Sequence, residues 1–317
     1  MATLSEPIEI LYKHADGIDI YMDVYLSPSS SQENPAPILF WWHGGGLLQG
    51  TRKGVSPHHL RAPTNHRVTL VSADYRLAPQ FRLPIILSDC ADAVNFLHTE
   101  DFRKATQGRA DPSRVILSGS SAGGWLSFLC GYRIGFDKIG IPKPPIVQGI
   151  VPIYPITDLE DPFWTTPQRP VKYMDRVIAR EEVQPFLNPD DPTSRIASST
   201  LDSPRAIFYS YMVQEALLEN LLLSGTNIPA STFSVAGYLK EAVGAAEEPD
   251  LPPTYIVHGD KDLKVPVEQS RDVVKALEDL KQRYEYEEIP DLDHLFDREP
   301  DYQMGKMYAF IEGVFST

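Results

Sequence analysis

The sequence predicts an α/β protein with a mostly parallel eight-stranded sheet, helices on both faces and an inserted, mainly helical cap. Two observations lead to this prediction. Short apolar runs typical of strands alternate with helical runs through most of the 317 residues, as expected of a parallel sheet covered by helices. Between residues 160 and 250 this alternation gives way to Pro-containing loops and two or three amphipathic stretches. We therefore expect residues 1–159 and 251–317 to form the sheet domain and residues 160–250 to form the cap.

Eight stretches are candidate strands. The first two flank Ala15-Asp16-Gly17, a turn signal that predicts an antiparallel hairpin at the start of the sheet. The candidates are Ile8–Tyr12, Ile18–Leu26, Ile38–Trp42, Val68–Ala73, Val115–Ser118, Ile146–Ile153, Tyr255–His258 and Tyr284–Ile289.

Four stretches are candidate helices of the sheet domain. Pro84 and Pro266 stand at or just before two of their starts, where the missing N–H of proline costs little. In the cap, the clearest helical stretch covers residues 205–223. The helix candidates are Pro84–His98, Ala122–Ile134, Val267–Leu280 and Asp301–Phe315.

Composition and charge exclude several classes of protein. Hydrophobic residues make up 42% of the chain and charged residues 23%, which disfavours a disordered or fibrous chain. The 43 acidic residues outnumber the 29 basic ones, for a net charge of −14, and such a chain repels nucleic acids and anionic membrane surfaces. No apolar run reaches the roughly 18 residues that a membrane-spanning helix needs. We expect neither nucleic acid nor membrane as a partner.

Two features concern the cellular compartment. Cys90 and Cys130 each lie in an apolar stretch, so we expect buried thiols rather than a disulfide framework. Residues 1–10 contain no positive segment followed by an apolar one, so no secretory signal is predicted and a cytoplasmic location is the default expectation. Nothing in the sequence predicts the oligomeric state.

A glycine- and serine-rich segment joins the fifth candidate strand to a helical pattern. It contains Gly119-Ser120-Ser121-Ala122-Gly123, a G-x-S-x-G motif in the strand-turn-helix context that the motif requires. Glycines at 119 and 123 leave room for a sharp turn, which holds the serine in strained backbone geometry. We therefore predict that Ser121 is a nucleophile at the edge of the sheet, beside a helix N-terminus.

Upstream, another strand ends in a histidine followed by three glycines, His43–Gly46. Acyl transfer needs backbone N–H groups that face the negative oxygen of the tetrahedral intermediate, and glycines let the backbone approach closely. The N–H groups of Gly45 and Gly46, together with that of Ala122, predict a three-donor oxyanion hole. We expect His43 to brace this loop rather than to act as a base.

The acid and the histidine of a catalytic triad are expected after the serine, because this topology orders them serine, acid, histidine. Asp260 and Asp262 both follow the seventh candidate strand, and their spacing alone does not decide between them. We favour Asp262, because Asp260 sits one residue past Gly259 in the turn itself. His294 follows the last strand and is the predicted base.

These motifs resemble those of the hormone-sensitive-lipase-like group of α/β-hydrolases, the fold-3 esterases. The resemblance extends to Asp74-Tyr75-Arg76-Leu77-Ala78-Pro79, followed by Pro84 and Asp89, and it covers residues 36–153 closely. It implies the α/β-hydrolase fold and a carboxylesterase with a Ser-Asp-His triad and no cofactor.

Four departures from that family stand out. Ser120 occupies a position where the family usually has aspartate, and Leu83 one where it has phenylalanine. The acid loop at residues 262–266 is more similar to the D-x-x-V-P pattern of dienelactone-hydrolase and prolyl-peptidase relatives. The cap matches no pattern of the family, in which the cap helps to choose the substrate.

The first functional hypothesis is a carboxylesterase or lactonase that acts on a small, neutral ester through an acyl-enzyme on Ser121. Leu47 and Leu48 follow the glycine loop, and Phe163 and Trp164 begin the cap. We expect these four residues to line a pocket for an apolar or aromatic ester. The cap contains 14 acidic and 7 basic residues, a balance that mildly disfavours anionic substrates.

Two alternatives remain open. An acyltransferase, a cyclising enzyme or an amide hydrolase of a small-molecule pathway would keep the same triad and change only the acceptor or the bond. A ligand receptor on the same fold would bind without turnover, and the presence of Ser121, Asp262 and His294 disfavours it.

The sequence predicts no metal site. His58 and His59 are adjacent and have no cysteine or glutamate partner nearby in the chain, and His66 is the next histidine. Adjacent histidines do not share a helix face or provide the usual zinc spacing. We therefore expect these histidines to lie in a surface loop.

Overall fold

The computed structural model describes residues 6–243 and 249–316. The strands are β1 (Ile8–Ala15), β2 (Ile18–Tyr25), β3 (Ala36–Trp42), β4 (Thr69–Ala73), β5 (Ala110–Ser120), β6 (Gly149–Ile153), β7 (Thr254–Gly259) and β8 (Tyr284–Ile289). Within the described residues they form one sheet in the order β1-β2-β4-β3-β5-β6-β7-β8. The β1–β2 and β2–β4 pairs are antiparallel and the others are parallel. The predicted mostly parallel eight-stranded sheet is confirmed.

Helices connect the strands and continue through the segment between β6 and β7. They are α1 (Pro57–Asn65), α2 (Leu83–Phe96), α3 (Glu100–Ala105), α4 (Ala122–Gly131), α5 (Phe136–Ile139), α6 (Pro162–Thr165), α7 (Arg180–Leu187), α8 (Ile207–Gln214), α9 (Leu218–Leu223), α10 (Val235–Ala242), α11 (Glu268–Asp279) and α12 (Gly305–Phe315). Short 3₁₀ turns cover Pro192–Ser194, Pro204–Ala206, Ala230–Phe233 and Phe296–Arg298. The sequence predictions for residues 1–5, 244–248 and 317 lie outside the described residues.

The sheet is buried on both faces, as alternation along β3 shows. Phe40 and Trp42 belong to a core cluster that includes side chains of α2, α4 and α11. Leu39 and Trp41 point to the other face and join a second cluster with side chains of α1 and α12. All seven residues of β3 are buried, as is typical of a central parallel strand. The predicted placement of helices on both faces is confirmed.

Several element boundaries differ from the predictions where the backbone changes direction. The sixth strand begins at Gly149 rather than Ile146, which is 71% exposed. The last helix begins at Gly305 because Met304 has a positive φ of 51°. In the segment predicted to be one cap helix, Ala216 has a φ of 54°, and the stretch is divided into α8 and α9.

The expectation that His58 and His59 lie in a surface loop is wrong. Both residues lie on α1 and are buried, with exposures of 2% and 0%. Helix α1 was missed because it begins with a proline and contains Pro63, so its sequence lacks a clear helical pattern. The helix packs against β4 and against the 3₁₀ turn at 296–298, which brings chain-distant polar groups to these histidines.

Residues 160–243 include α6 to α10. The end of this segment returns to the sheet domain, because α10 packs against α11 and the Val235 N–H donates to Thr157 O. None of the helices in the described part of the chain combines the length and apolar character needed to cross a bilayer.

Candidate active site

Ser121 occupies the turn between β5 and α4, at the carboxyl end of a central strand. Its backbone angles, φ 59° and ψ −119°, lie outside the regions that residues with side chains normally adopt. The Ser121 N–H donates to Ile153 O at the end of β6, at 2.8 Å, and this bond helps to hold the turn. The strained turn that the G-x-S-x-G motif predicts is therefore present.

Two glycines make such a tight turn possible. A Cβ added at Gly119 would collide with the backbone of Gly123, and one added at Gly123 would collide with the carbonyl oxygens of Trp42 and His43. Backbone atoms cannot move aside as the end of a flexible side chain can. The start of α4 can therefore lie this close to the end of β5 only with glycine at 119, and this close to the end of β3 only with glycine at 123.

The glycine loop after β3 lies directly against the serine turn. A Cβ added at Gly44 would be 2.8 Å from Ser120 O and 3.0 Å from Ser121 Cβ. His43 supports this loop. Its ring stacks on that of Tyr75, with the two ring centroids 4.3 Å apart, and the Tyr75 hydroxyl donates to His43 O at 2.8 Å. Burial lowers the pKa of His43 to about 4, so the ring is neutral at pH 7 and acts as a brace.

The predicted oxyanion donors lie in this loop and at the start of α4. Gly45 and Gly46 have φ values of 100° and 65°, which favour glycine, and Leu48 N–H donates to Gly45 O at 3.0 Å. Among the backbone hydrogen bonds of residues 6–243 and 249–316, none uses the N–H of Gly45, Gly46 or Ala122 as donor. These three groups can therefore donate to a bound oxyanion.

Asp262 accepts hydrogen bonds at both carboxylate oxygens. Its Oδ1 accepts from the backbone N–H of Lys264 at 2.8 Å and of Val265 at 2.9 Å. Its Oδ2 lies 2.6 Å from His294 Nδ1 and 3.2 Å from His258 Nε2. Two backbone donors and two imidazole rings therefore fix the position of this carboxylate.

The charge state of Asp262 follows from these partners. Burial alone would raise the pKa of Asp262, but the charge of His294 and the hydrogen bonds from His258 and His294 outweigh it and hold this pKa well below its usual range. The carboxylate is therefore ionised, and His294 Nδ1 must carry a proton to donate to it. In the neutral ring, Nε2 then has a free lone pair, as a general base requires.

His258 is a second histidine beside the acid, and sequence reasoning assigned it only to the end of a strand. Its Nε2 lies 3.0 Å from Val265 O and 3.2 Å from Asp262 Oδ2. Because both of these atoms are acceptors, Nε2 carries the proton, and Nδ1 can accept from the Ser270 hydroxyl at 2.8 Å. This fully buried ring orients Asp262 toward His294.

The other acidic residues of these two loops have different partners. Asp260 Oδ1 accepts from the backbone N–H of Asp291 at 2.7 Å, which braces the two loops against each other. Asp293 Oδ1 accepts from the backbone N–H groups of Leu263 and His294, and Asp293 is exposed. Of the two candidates for the acid, Asp262 is therefore the one in contact with the His294 ring.

Tyr154 connects the serine turn to His294. It directly follows Ile153, which accepts the Ser121 N–H, and its own N–H donates to Val257 O at 2.7 Å. Its ring centroid lies 4.3 Å from that of His294. The side chain of His294 is only 5% exposed, and its imidazole packs on Tyr154, the residue next to the acceptor of the Ser121 N–H.

The segment before β7 covers this site through α8. A Cβ added at Gly46 would be 2.8 Å from the Tyr209 ring and 3.4 Å from Met212 Cε, so both side chains lie over the glycine loop. The Tyr209 hydroxyl donates to Lys264 O at 2.8 Å and thereby joins α8 to the acid loop. The helical pattern of residues 205–223 was the one sequence signal for these contacts, and it did not show which residues would reach the site.

Arg205 holds the same helix to the loops below it. Its guanidinium donates to Leu48 O at 2.6 Å, to Ala78 O at 2.7 Å and to Gln80 Oε1 at 3.0 Å. Burial lowers the pKa of Arg205 to about 10, which leaves the side chain charged at pH 7. This buried cation, satisfied by neutral acceptors, fixes the covering segment relative to the glycine loop.

The four residues expected to line a pocket lie in two places. Leu47 and Leu48 are fully buried after the glycine loop. Phe163 and Trp164 lie on α6, which packs against α9, and their rings form an edge-to-face pair at 4.6 Å. A surface cleft of about 620 Å³ lies elsewhere, and its lining does not include Ser121.

Comparison with known families agrees with this fold and these motifs. Residues 39–201, just over half of the chain, match the α/β hydrolase fold family. The chain belongs to the α/β hydrolase fold family. The resemblance to the hormone-sensitive-lipase-like group is thereby confirmed. Residues 227–317 match the prolyl oligopeptidase family, in line with the resemblance seen in the acid loop.

The relatives that match by sequence are much longer proteins. The non-reducing polyketide synthase pkbA of Emericella nidulans is 28% identical over 335 residues, which cover 91% of this chain and 13% of that protein. The non-reducing polyketide synthase ascC of Acremonium egyptiacum is 28% identical over 336 residues, which cover 96% of this chain and 15% of that protein. The chain thus spans only 13% to 15% of the length of these curated relatives.

Solved structures share the fold over nearly the whole chain. A Staphylococcus aureus protein of unknown function has a TM-score of 0.72 at 17% identity and covers 98% of this chain and 99% of its own. The esterase LipW from Mycobacterium marinum has a TM-score of 0.65 at 19% identity, with 98% and 82% covered. Esterase 2 of Thermogutta terrifontis has a TM-score of 0.64 at 17% identity, with 99% and 95% covered.

Proposed function

We propose that this protein is a serine hydrolase that cleaves a small, neutral carboxylic ester or lactone through an acyl-enzyme on Ser121. The observation that carries the proposal is the 2.6 Å contact between His294 Nδ1 and Asp262 Oδ2, on loops next to a serine in a strained strand-to-helix turn. That combination supplies a nucleophile, a base with a free Nε2 lone pair and a carboxylate that orients the base.

The proposed reaction proceeds in two halves. Ser121 Oγ attacks the acyl carbonyl carbon while His294 Nε2 takes the hydroxyl proton, and the N–H groups of Gly45, Gly46 and Ala122 stabilise the negative oxygen. The C–O bond to the alcohol then breaks, and the alcohol leaves with the proton from His294. Water, deprotonated by His294, attacks the acyl-enzyme and releases the acid and Ser121.

The covering segment supports an apolar substrate. Tyr209 and Met212 lie over Gly46, next to the proposed oxyanion donors. Because Tyr209 and Met212 contact Gly46, we assign the surface nearest the acyl group to these two residues and keep Leu47, Leu48, Phe163 and Trp164 as the rest of the proposed lining. We take residues 160–250 as the cap that selects the substrate, with α8 as the part that reaches the site.

A second candidate is acyl transfer or cyclisation by the same three residues. The matching sequence relatives are named as non-reducing polyketide synthases, proteins whose name denotes the assembly of acyl chains. In this alternative, a hydroxyl or a carbanion of the substrate, rather than water, takes the acyl group from Ser121. Incubation with an acyl thioester and an added alcohol, followed by mass analysis of free acid and transferred product, separates the two candidates.

The test uses a serine-directed fluorophosphonate on the wild type and on Ser121→Ala, His294→Ala and His14→Ala. We expect one adduct on Ser121 in the wild type. The same adduct is expected in the control His14→Ala, because the His14 side chain of the wild type is 65% exposed. His294→Ala should react more slowly by orders of magnitude, because the base is lost. Labelled wild type that hydrolyses no member of a panel of esters, lactones and amides would instead favour a ligand receptor. A wild type that is not labelled would contradict the proposed function.

A further inference from the structure

His58, His59 and Asp297 form a buried cluster outside the proposed active site. His58 and His59 are adjacent on α1, and Asp297 lies in the 3₁₀ turn just after His294. Their exposures are 2%, 0% and 0%. One ligand atom from each side chain can be chosen so that all three lie within 4.8 Å of one another.

His59 is the member of the cluster that the protein alone leaves unexplained. Neither of its ring nitrogens has a hydrogen-bond partner among the described residues, although the ring is completely buried. A buried polar atom without a partner costs about 1–3 kcal/mol. A neutral imidazole in this position has a free lone pair at one nitrogen, which is the group that binds a metal ion.

His58 and Asp297 have the spacing of two ligands on one ion. His58 Nε2 lies 3.3 Å from Asp297 Oδ2, and two ligand atoms about 2.0–2.2 Å from a zinc ion lie roughly 3–3.5 Å apart. His58 Nδ1 lies 2.9 Å from the Tyr308 hydroxyl, which is also 3.1 Å from His58 O. In the metal-free protein His58 Nε2 donates to the carboxylate; when an ion lies between them, Nδ1 can instead carry the proton and donate to the phenol oxygen, which leaves the Nε2 lone pair for the ion.

Asp297 supplies the negative charge that a cation needs. Both of its carboxylate oxygens accept hydrogen bonds from hydroxyl groups, which favours the charged form. The Ser56 hydroxyl donates to Oδ2 at 2.6 Å, and the Tyr154 hydroxyl donates to Oδ1. Ligating carboxylates are commonly held by such outer hydrogen bonds.

We propose that His58, His59 and Asp297 bind one divalent transition-metal ion, with Zn²⁺ as the reference ion. Two imidazoles and one carboxylate suit zinc and its neighbours better than Mg²⁺ or Ca²⁺, which prefer oxygen ligands. The two ring centroids are 4.0 Å apart, and an angle near 90° between imidazole ligands needs about 4.5 Å. The rings therefore have to part by about half an ångström, an arrangement that favours five or six ligands over four.

The ion would join α1 to the turn that follows His294. Tyr154 links this turn to the proposed base, because its hydroxyl donates to Asp297 and its ring lies against His294. The ion would thus stabilise the loop that carries the proposed base without taking part in the reaction. This inference does not depend on the proposed function, since its readouts are metal content and thermal stability.

The experiment starts from tag-free protein stripped with EDTA and reloaded with Zn²⁺. We expect one zinc per chain by mass spectrometry of metals, tight binding against a chromogenic chelator, and a melting temperature that rises by about 5 °C at about 100 times the Kd. Replacement by Co²⁺ should give visible absorption bands, whose intensity reports the number of ligands.

His59→Leu is the decisive variant. Because His59 makes no hydrogen bond within the described residues, the metal-free variant should melt within a few degrees of the metal-free wild type, while tight zinc binding and the zinc-dependent rise are lost. His14→Leu, at an exposed position, should keep both. Asp297→Asn should also abolish tight binding. Zinc bound equally well by His59→Leu, or a wild type that binds no zinc tightly, would overturn the proposal.

Discussion

Asp262→Asn is the substitution for which the structure allows the most detailed expectation. An asparagine can be placed in two orientations, since its amide has one acceptor oxygen and one donor nitrogen. With the nitrogen at the Oδ1 position, it would face the N–H groups of Lys264 and Val265. Two partly buried donors would then lose their acceptor, at up to about 1–3 kcal/mol each. The amide oxygen therefore stays at this position.

The amide nitrogen then occupies the Oδ2 position, 2.6 Å from His294 Nδ1. Because the amide nitrogen can only donate, Nδ1 has to accept, and the neutral imidazole of His294 carries its proton at Nε2. A ring in this tautomer cannot take a proton from Ser121. His258 Nε2 can still donate its hydrogen bond to Val265 O, at 3.0 Å, so the acid loop should stay in place.

A histidine held in the wrong tautomer lowers kcat by about 10⁴ in serine hydrolases with this triad, which is about 5 kcal/mol of lost transition-state stabilisation. The assay is steady-state hydrolysis of a p-nitrophenyl ester, with the rate of fluorophosphonate labelling as a second measure. The matched control is Asp260→Asn, in the same loop, because an asparagine oxygen can still accept from Asp291 N–H.

Asp260→Asn should retain a rate close to that of the wild type. Thermal unfolding would show that both variants remain folded. The reasoning is refuted if folded Asp262→Asn keeps more than about a tenth of the wild-type kcat, or if Asp260→Asn loses as much activity as Asp262→Asn.

Three further predictions concern stability and are measured by urea unfolding. Gly123→Ala should lower the free energy of unfolding by more than about 3 kcal/mol, because the added Cβ would meet two backbone carbonyl oxygens. Gly313→Ala, in open space on α12, should raise it by up to about 1 kcal/mol. Equal effects of the two substitutions would contradict the steric account of the serine turn. The pKa of His43 falls from 6.5 to about 4 on folding, so the unfolded state takes up more protons as the pH falls, and about 2 kcal/mol of stability should be lost between pH 7 and pH 5. His43→Phe should lack this part of the loss, and an unchanged pH dependence would show that His43 is not a buried neutral ring. Tyr209→Phe removes the hydrogen bond to Lys264 O and should cost about 1 kcal/mol with little change in kcat; a large fall in kcat would place the hydroxyl in the reaction itself.

Local sequence patterns were sufficient for the order of the eight strands and for four helices of the sheet domain, although α1, α3 and α5 were missed. Strand alternation, the two glycine motifs and prolines at helix starts depend on neighbouring residues, so they are visible in one chain. Boundaries were less predictable. Met304 and Ala216, for example, change the direction of the backbone without being glycine or proline.

The serine turn and the glycine loop could be recognised because only glycine fits where two backbones meet. The choice between Asp260 and Asp262 could not be made in this way, since both residues follow the same strand. The structure distinguishes them by their partners, because Asp262 contacts His294 and Asp260 contacts the backbone of Asp291.

What the sequence alone determined is the α/β architecture, the strained serine turn and the residue types that acyl transfer needs, because these properties are encoded over short stretches. Only the tertiary structure decided which carboxylate faces His294, which side chains of α8 cover the glycine loop, and that His58 meets Asp297, 239 residues further along the chain. The physical reason is that such contacts depend on how distant elements pack against the sheet, and no local pattern records that packing.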